Sequence, residues 1–163
     1  MSSPSPATRT PGLMFNLSVM MFLQFFLWGA WFELGFSYIP ALKFTAWENF
    51  FVFTAFNVGA VVALFFSTQF ADRKFAAEKF LAVSHLIGGL AILGLFFLPG
   101  DKANPAPFWP FFALRLVHSV FYFHTISITT SNALTNLRDP ARAFGPVRVW
   151  GHVEWIAGGC AFI

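Results

Sequence analysis

The strongest constraint on what this chain can fold into is the recurrence of long apolar blocks separated by short polar connections. They run from about Leu13 to Ile39, Trp47 to Phe70, Lys79 to Leu98 and Pro107 to Asn136, and a fifth opens at about Val147 and continues to Ile163. A helix rises about 1.5 Å per residue, so roughly 20 residues cross about 30 Å of hydrocarbon. The first four blocks meet that length. The fold class expected is all-α: a polytopic membrane helical bundle. Composition agrees, with 57% hydrophobic residues, 10% charged residues and 25 phenylalanines, against roughly 25% charge in an ordinary soluble domain.

Ahead of the first block, residues 1–12 (MSSPSPATRTPG) are rich in Ser, Pro and Thr and read as a disordered tail. A cleaved signal is not expected, because the block that follows is longer than an apolar signal core of roughly 7–15 residues. The remainder, 13–163, reads as one transmembrane domain. From Val149 to Ile163 there are only 15 positions and no polar flank, so the sequence is expected to be the front part of a longer protein whose C-terminal half lies beyond it.

Lys and Arg in the connections set an orientation. Arg9, Arg73, Lys74, Lys79, Arg138 and Arg142 lie in the tail and in the second and fourth connections, whereas the first and third hold only Lys43 and Lys102. The excess places the N-terminus in the cytoplasm, in a multi-pass protein of the inner (cytoplasmic) membrane. The net charge of +3 comes without any basic run, so the partner expected is the lipid bilayer and not nucleic acid. Cys160 is the single cysteine, which excludes an internal disulfide. No Cys/His zinc spacing occurs, and the four histidines show no ligand spacing within one span, so neither a metal nor a cofactor is expected.

Ionisable groups inside spans cost roughly 2.5–3.5 kcal/mol on insertion scales, which makes each one a functional hypothesis. In the fourth block Arg115, His118, Tyr122, Thr125, Thr129, Asn132 and Asn136 are spaced 3, 4, 3, 4, 3, 4, so they share one stripe of a helix. Lipid cannot solvate that stripe. It either lines a hydrated cavity or bonds to neighbouring helices.

The fifth block repeats the arrangement: Arg148, His152, Trp155 and Gly159 lie at i, i+4, i+7 and i+11. A cation, an imidazole and an indole on one side suit a flat, polar, hydrogen-bonding ligand. Glu154 sits about 120° from Arg148 on the same wheel and is expected to face a neighbouring helix. In the first block Gln24, Trp28, Trp31 and Gly35 follow the same spacing, as cavity lining or as interfacial aromatics. Glu33 and Glu154 are the acidic side chains placed well inside spans. Each is read either as a proton carrier or as the partner of a cation such as Arg115 or Arg148.

Three stretches, LSVMMFLQFFLWGAWFELGFSYI, ADRKFAAEKFLAVSHLIGG and FGPVRVWGHVEWIAGG, resemble in order and spacing the nucleoside:proton symporter family of the major facilitator superfamily. The resemblance covers Leu17 to Ile163, and the block around Arg148 is its most specific part. It implies the first four spans and part of the fifth of a six-helix N-terminal half. That half would belong to a twelve-helix transporter rocking around a midplane site and carrying nucleosides together with a proton. The family's substrate contacts fall on Arg148, His152 and Trp155. Tyr122, Thr125, Gln24 and Trp28 are further candidates for substrate, Glu33, Glu154, Arg115 and His118 for proton coupling, and Asp72 and Arg73 for the conformational loop.

The chain departs from the family pattern in four places. His152 stands at a threonine, Glu154 at a glycine, Phe123-His124 at a Met-Pro pair, and Thr68 at the loop glycine. The reading that follows is a proton-coupled transporter of nucleosides or similar small polar solutes. The alternative from another class is a non-transporting receptor or sensor that binds such a ligand between its helices. An enzyme acting through His118, His124 or His152 is not expected, because no nucleophile, metal box or cofactor motif accompanies them.

Overall fold

The computed structural model describes residues 11–71, 77–99 and 106–161, and within those ranges it leaves the side chains of residues 11, 33, 34, 37, 66–71, 77 and 161 undescribed. Asp72, Arg73 and the side chain of Glu33, expected to act in the loop and in proton coupling, lie outside the described residues.

Five helices and no strand occur among the described residues: α1 Pro11–Ala41, α2 Ala46–Ala71, α3 Ala77–Phe96, α4 Phe108–Asn136 and α5 Pro140–Ala161. The protein is an all-α polytopic membrane bundle. Stretches of α1 to α4, namely Gly12–Phe32, Ala46–Phe65, Glu78–Phe96 and Phe108–Asn136, are long and apolar enough to cross a bilayer. The faces turned outward suit lipid, since Phe15, Leu64, Phe65, Phe96 and Trp109 are each largely exposed. Buried positions instead include Gln24, Ser84, Arg115, Ser119, His124, Thr125, Thr129 and Glu154, a polarity that water would not support and lipid requires.

Local chemistry sets the helix ends. Pro11 and Gly12, at the end of the expected tail, already belong to α1, because proline's fixed φ and missing N–H suit a first turn. After α1 the amides of Leu42 and Lys43 donate to the carbonyls of Ile39 and Pro40 at 3.1 and 3.3 Å, and Lys43 takes a left-handed φ of 57° that turns the chain. A capping box then starts α2: the Thr45 amide donates to Glu48 Oε2 at 2.7 Å while Thr45 Oγ1 accepts from the Glu48 amide at 3.3 Å.

Helix α5 begins at Pro140, about two turns ahead of the Val147 start expected from apolarity. Pro140 suits a first turn, and Asp139 Oδ1 accepts from the Arg142 amide at 3.4 Å. The polar opening turns of α5 thus carry a helix signal in their caps and not in their hydropathy. Pro146 lies inside this helix and, having no N–H, cannot donate to the carbonyl one turn back.

The chain packs as two units, each described by itself: residues 1–33 with 129–163, and residues 34–128. In the first, α5 lies against the first part of α1 at a glycine seam. A Cβ on Gly158 would sit 3.0 Å from the Ala30 amide nitrogen and 3.2 Å from the Phe26 carbonyl oxygen, and one on Gly29 would sit 3.1 Å from the Trp155 carbonyl oxygen. In the second, α4 packs on α2 and α3. A Cβ on Gly59 would sit 2.7 Å from both the carbonyl carbon and Cβ of Ser119. Close backbone approach through glycine is the usual way helices gain dispersion contact where lipid removes the hydrophobic driving force.

Gly59→Ala is therefore expected to force α2 and α4 apart and to destabilise the protein by about 1–3 kcal/mol. Gly89→Ala, where nothing lies within 4 Å of the added methyl group, is expected to be neutral. Thermal unfolding of the two variants in detergent checks the contrast.

Candidate functional site

In the first unit, Gln24, Phe25 and Trp28 project from α1, Thr129 from the last turns of α4, and Arg148, Glu154 and Trp155 from α5. Gln24 is buried, and its Oε1 accepts from Thr129 Oγ1 at 3.3 Å. One turn closer to the end of α4, Asn132 Nδ2 approaches Met20 Sδ at 3.6 Å. The polar stripe of α4 thus reaches the polar position of α1 directly.

Arg148 is half-buried, and its guanidinium carbon lies 4.0 Å from the centroid of the Phe25 ring. That distance defines a cation–π contact. Its Nη1 is buried and has no hydrogen-bond acceptor among the described residues. Gly151 makes this seating possible, since a Cβ there would sit 3.1 Å from Phe25 Cδ2 and 3.3 Å from Arg148 Nη1. Trp155 meets Trp28 edge-on, with centroids 4.9 Å apart at 81°, and tilts against Phe32 at 5.6 Å. The two indoles offer aromatic faces and the guanidinium a donor, Arg148 Nη1, with no acceptor among the described residues, which is the chemistry that recognises a flat ligand bearing oxygen or nitrogen acceptors.

His152 is exposed, and its Nδ1 donates to the Arg148 carbonyl oxygen of its own helix at 3.3 Å. Glu154 is fully buried and neither carboxylate oxygen accepts a hydrogen bond among the described residues. The wheel separates the two as drawn from the sequence: Arg148 and His152 flank one side, and Glu154 is turned into the packed side.

In the second unit the first half of the α4 stripe is organised around Arg115. This buried guanidinium donates from Nη1 to Ser119 Oγ at 2.7 Å, and its carbon lies 5.6 Å from the Phe56 ring centroid. Ser119 in turn donates to the Arg115 carbonyl oxygen at 2.9 Å. His118 Nδ1 lies 3.1 Å from the Gly88 carbonyl oxygen. A carbonyl can only accept, so that nitrogen carries the proton. The His118 ring stacks on Tyr122 with centroids 5.5 Å apart at 17°. Thr125 Oγ1 donates to the Tyr122 carbonyl oxygen at 2.6 Å, and His124 Nδ1 donates to the Val120 carbonyl oxygen at 2.6 Å.

Sequence reasoning missed Phe25, the ring beneath Arg148, and Ser119, the acceptor for Arg115. Phe25 carries a usable signal, since it stands three residues before Trp28 on the inward side of α1, but it is hard to single out among so many phenylalanines. Ser119 stands four residues after Arg115, the spacing at which two side chains on one helix meet. No group of three His, Cys, Asp or Glu side chains suited to a metal ion occurs among the described residues.

Comparison with known proteins turns this geometry into a family. The profile of the nucleoside H+ symporter family matches residues 12–163. The chain belongs to the nucleoside H+ symporter family. Among curated relatives, the Escherichia coli (strain K12) protein titled "Putative nucleoside transporter YegT" is 35% identical over 150 residues, covering 91% of this chain and 34% of its own length. Xanthosine permease of the same organism is 31% identical over 147 residues, covering 86% of this chain and 33% of its own length. Nucleoside permease NupG, also from that organism, is 27% identical over 149 residues, covering 88% of this chain and 34% of its own length. The chain thus spans about a third of the length of the curated relatives it matches. No solved structure matches it. All three relatives are named as transporters or permeases, and the match to the symporter family takes in α1 through α5 and with them the Arg148, Glu154 and Trp155 cluster.

The hydrogen bonds of the α4 stripe are expected to differ in worth. Thr129→Val removes a neutral interhelical bond and should cost about 0.6 kcal/mol. Ser119→Ala removes a bond to a buried cation and should cost about 1.5–3 kcal/mol. Thermal unfolding of both variants in the same detergent checks the order.

Proposed function

We propose that this chain supplies α1 to α5 of a secondary transporter that carries nucleosides inward together with a proton. It would sit in the inner (cytoplasmic) membrane with its N-terminus in the cytoplasm. The observation that carries the reading is the family match across residues 12–163. The arrangement of Arg148 over Phe25 beside the Trp28–Trp155 pair supports it. A nucleoside offers what that cluster can use: a planar base to set against indole, and base carbonyl and sugar hydroxyl oxygens to accept from guanidinium.

In this reading Arg148, Trp155, Trp28 and Gln24 contact the solute. His152 adds a ring at the exposed edge of the same side, and Tyr122 and Thr125 act in the second unit. Arg115 and His118 are best placed as internal supports of α4, because Ser119 and the Gly88 carbonyl already engage them. Glu33 stays a candidate for proton coupling or for pairing with a cation, read from its place inside a span, and Asp72 and Arg73 stay candidates for the conformational loop of the family pattern. Partners are the solute, the proton and the bilayer, with the further helices that the relatives' length implies.

Cells expressing the full-length gene product are expected to take up radiolabelled uridine, and a protonophore should abolish accumulation. Arg148→Ala should lower uptake at least about tenfold at equal membrane abundance. A charged hydrogen bond is worth about 1.5–3 kcal/mol, and about 1.4 kcal/mol corresponds to a factor of ten. Uptake insensitive to the protonophore removes the proton from the reading, and absence of nucleoside uptake removes the solute.

A further inference from the structure

Glu154 is the one acidic side chain among the described residues that is buried. Both of its oxygens lack hydrogen-bond donors there. A carboxylate out of water is costly unless it is paired, hydrogen-bonded or protonated. Arg148, on the same helix, is near enough for the two charges to attract, yet no ion pair joins them: the one salt bridge among the described residues is Arg142 with Asp139 at 3.7 Å. The carboxylate has its counter-charge at a distance and no contact to hold it ionised.

What can reach this group is limited by packing. Val147, Gly151, Glu154 and Gly158 follow at spacings of 4, 3 and 4 along the buried side of α5. About one turn to either side of Glu154 the seam is tight, since an added Cβ would sit 3.1 Å from the Phe25 ring at Gly151 and 3.0 Å from the Ala30 amide nitrogen at Gly158. A nucleoside does not fit such a seam, and a proton does. Across the seam, the described side chains of α1 in this unit include no titratable group. The last turns of α4 add none before Arg138 and Asp139, both exposed. On α5, Arg142, His152 and Cys160 are exposed, which leaves Arg148, among the described residues of this unit, as the charge that acts on Glu154.

We propose that Glu154 is a proton-binding site, separate from the solute contacts and electrostatically linked to them through Arg148. This rests on the transport reading above and names its proton carrier. The step is a simple protonation: the carboxylate binds one proton from the aqueous side that its helix faces, becomes the neutral acid, and returns the proton when the chain reopens to the other side. Solute acceptors engaging Arg148 Nη1 draw the guanidinium's field away from Glu154, so the acid form is favoured when solute is bound.

The test has two arms. Wild-type full-length protein in native membranes is treated with a hydrophobic carbodiimide, which attacks protonated carboxyl groups, and the peptide carrying Glu154 is followed by mass spectrometry. The adduct is expected at acidic pH, falling away as pH rises. Labelling that is the same at every pH overturns the proposal without reference to any solute, and where the closed seam keeps the reagent out altogether the second arm decides. In the second arm, full-length wild type, Glu154→Gln and Glu154→Asp are reconstituted in vesicles with an imposed pH gradient and supplied with uridine. One proton per solute lets wild type accumulate about tenfold per pH unit. Glu154→Gln should accumulate none, its uridine exchange no longer responding to pH, while Glu154→Asp keeps pH-driven accumulation. Accumulation by Glu154→Gln equal to wild type overturns the proposal. If Glu154→Gln fails to reach the membrane, the carbodiimide arm on wild type decides. A wild type that takes up no uridine yet labels at Glu154 overturns the nucleoside reading and leaves the proton site in place.

Discussion

The rest of the structure depends on how polar side chains are satisfied where no water can do it. In hydrocarbon an unpartnered donor or acceptor costs several kcal/mol, so the polar residues of α4 dictate how closely other helices must come. Arg115 is the severest case. Its Nη1 finds Ser119 one turn along its own helix and its charge lies over the Phe56 ring. Ser119 is where α2 comes closest, at Gly59, so the residue that satisfies the cation is also the residue against which the neighbouring backbone rests. Glycine at position 59 and serine at position 119 answer the same requirement from opposite sides: a polar group kept small so that a buried charge can be closed over.

The seam between α1 and α5 follows similar logic with a different outcome. Gly29 and Gly158 bring the two backbones together, Gly151 leaves room for the Phe25 ring and the Arg148 guanidinium, and the bulky residues are displaced to the flank. There Trp28, Phe32 and Trp155 pack ring to ring and Arg148 folds back over Phe25. The ionisable groups of α5 are sorted by this geometry: the guanidinium half-buried at the edge, the imidazole of His152 exposed, and the carboxylate of Glu154 enclosed. On α4 every ionisable group of the stripe has an internal partner, whereas on α5 two opposite charges share a helix without touching. That contrast separates a supporting helix from one with polar capacity left over.

Much of this was legible from spacing alone. The 3, 4, 3, 4 series of α4 predicted one polar side, and Tyr122, Thr125 and Thr129 are indeed buried on it. The same wheel placed Glu154 away from Arg148, and burial follows that division. What spacing could not supply was which partner each group takes. Gln24 to Thr129 joins residues 105 positions apart, and nothing local announces it. His118 bonds a backbone carbonyl at Gly88, an acceptor every residue carries and no sequence pattern marks. The early start of α5 escaped for another reason: a window tuned to apolarity is blind to Asp139 and Pro140, whose signal is conformational. Phe25 escaped because its role is electrostatic, and its composition is that of an ordinary lipid-facing residue.

The proposed solute site and proton site share one helix, and the thermodynamic link between them does not depend on distance or on the path that joins them. If an occupied Arg148 makes Glu154 bind its proton more tightly by some factor, then a protonated Glu154 must make the solute bind more tightly by the same factor. Direct contact between the two would work against this, because an ion pair held in close geometry stabilises both charges at once and resists either partner's release. A separated pair, joined by field and not by hydrogen bond, keeps each group responsive to its own ligand. The enclosure of Glu154 strengthens that field by excluding water, while the half-exposure of Arg148 leaves it open to an incoming acceptor. On the proposed reading, replacing either group by a neutral one of similar shape affects more than its own site: it removes the field that joins the two.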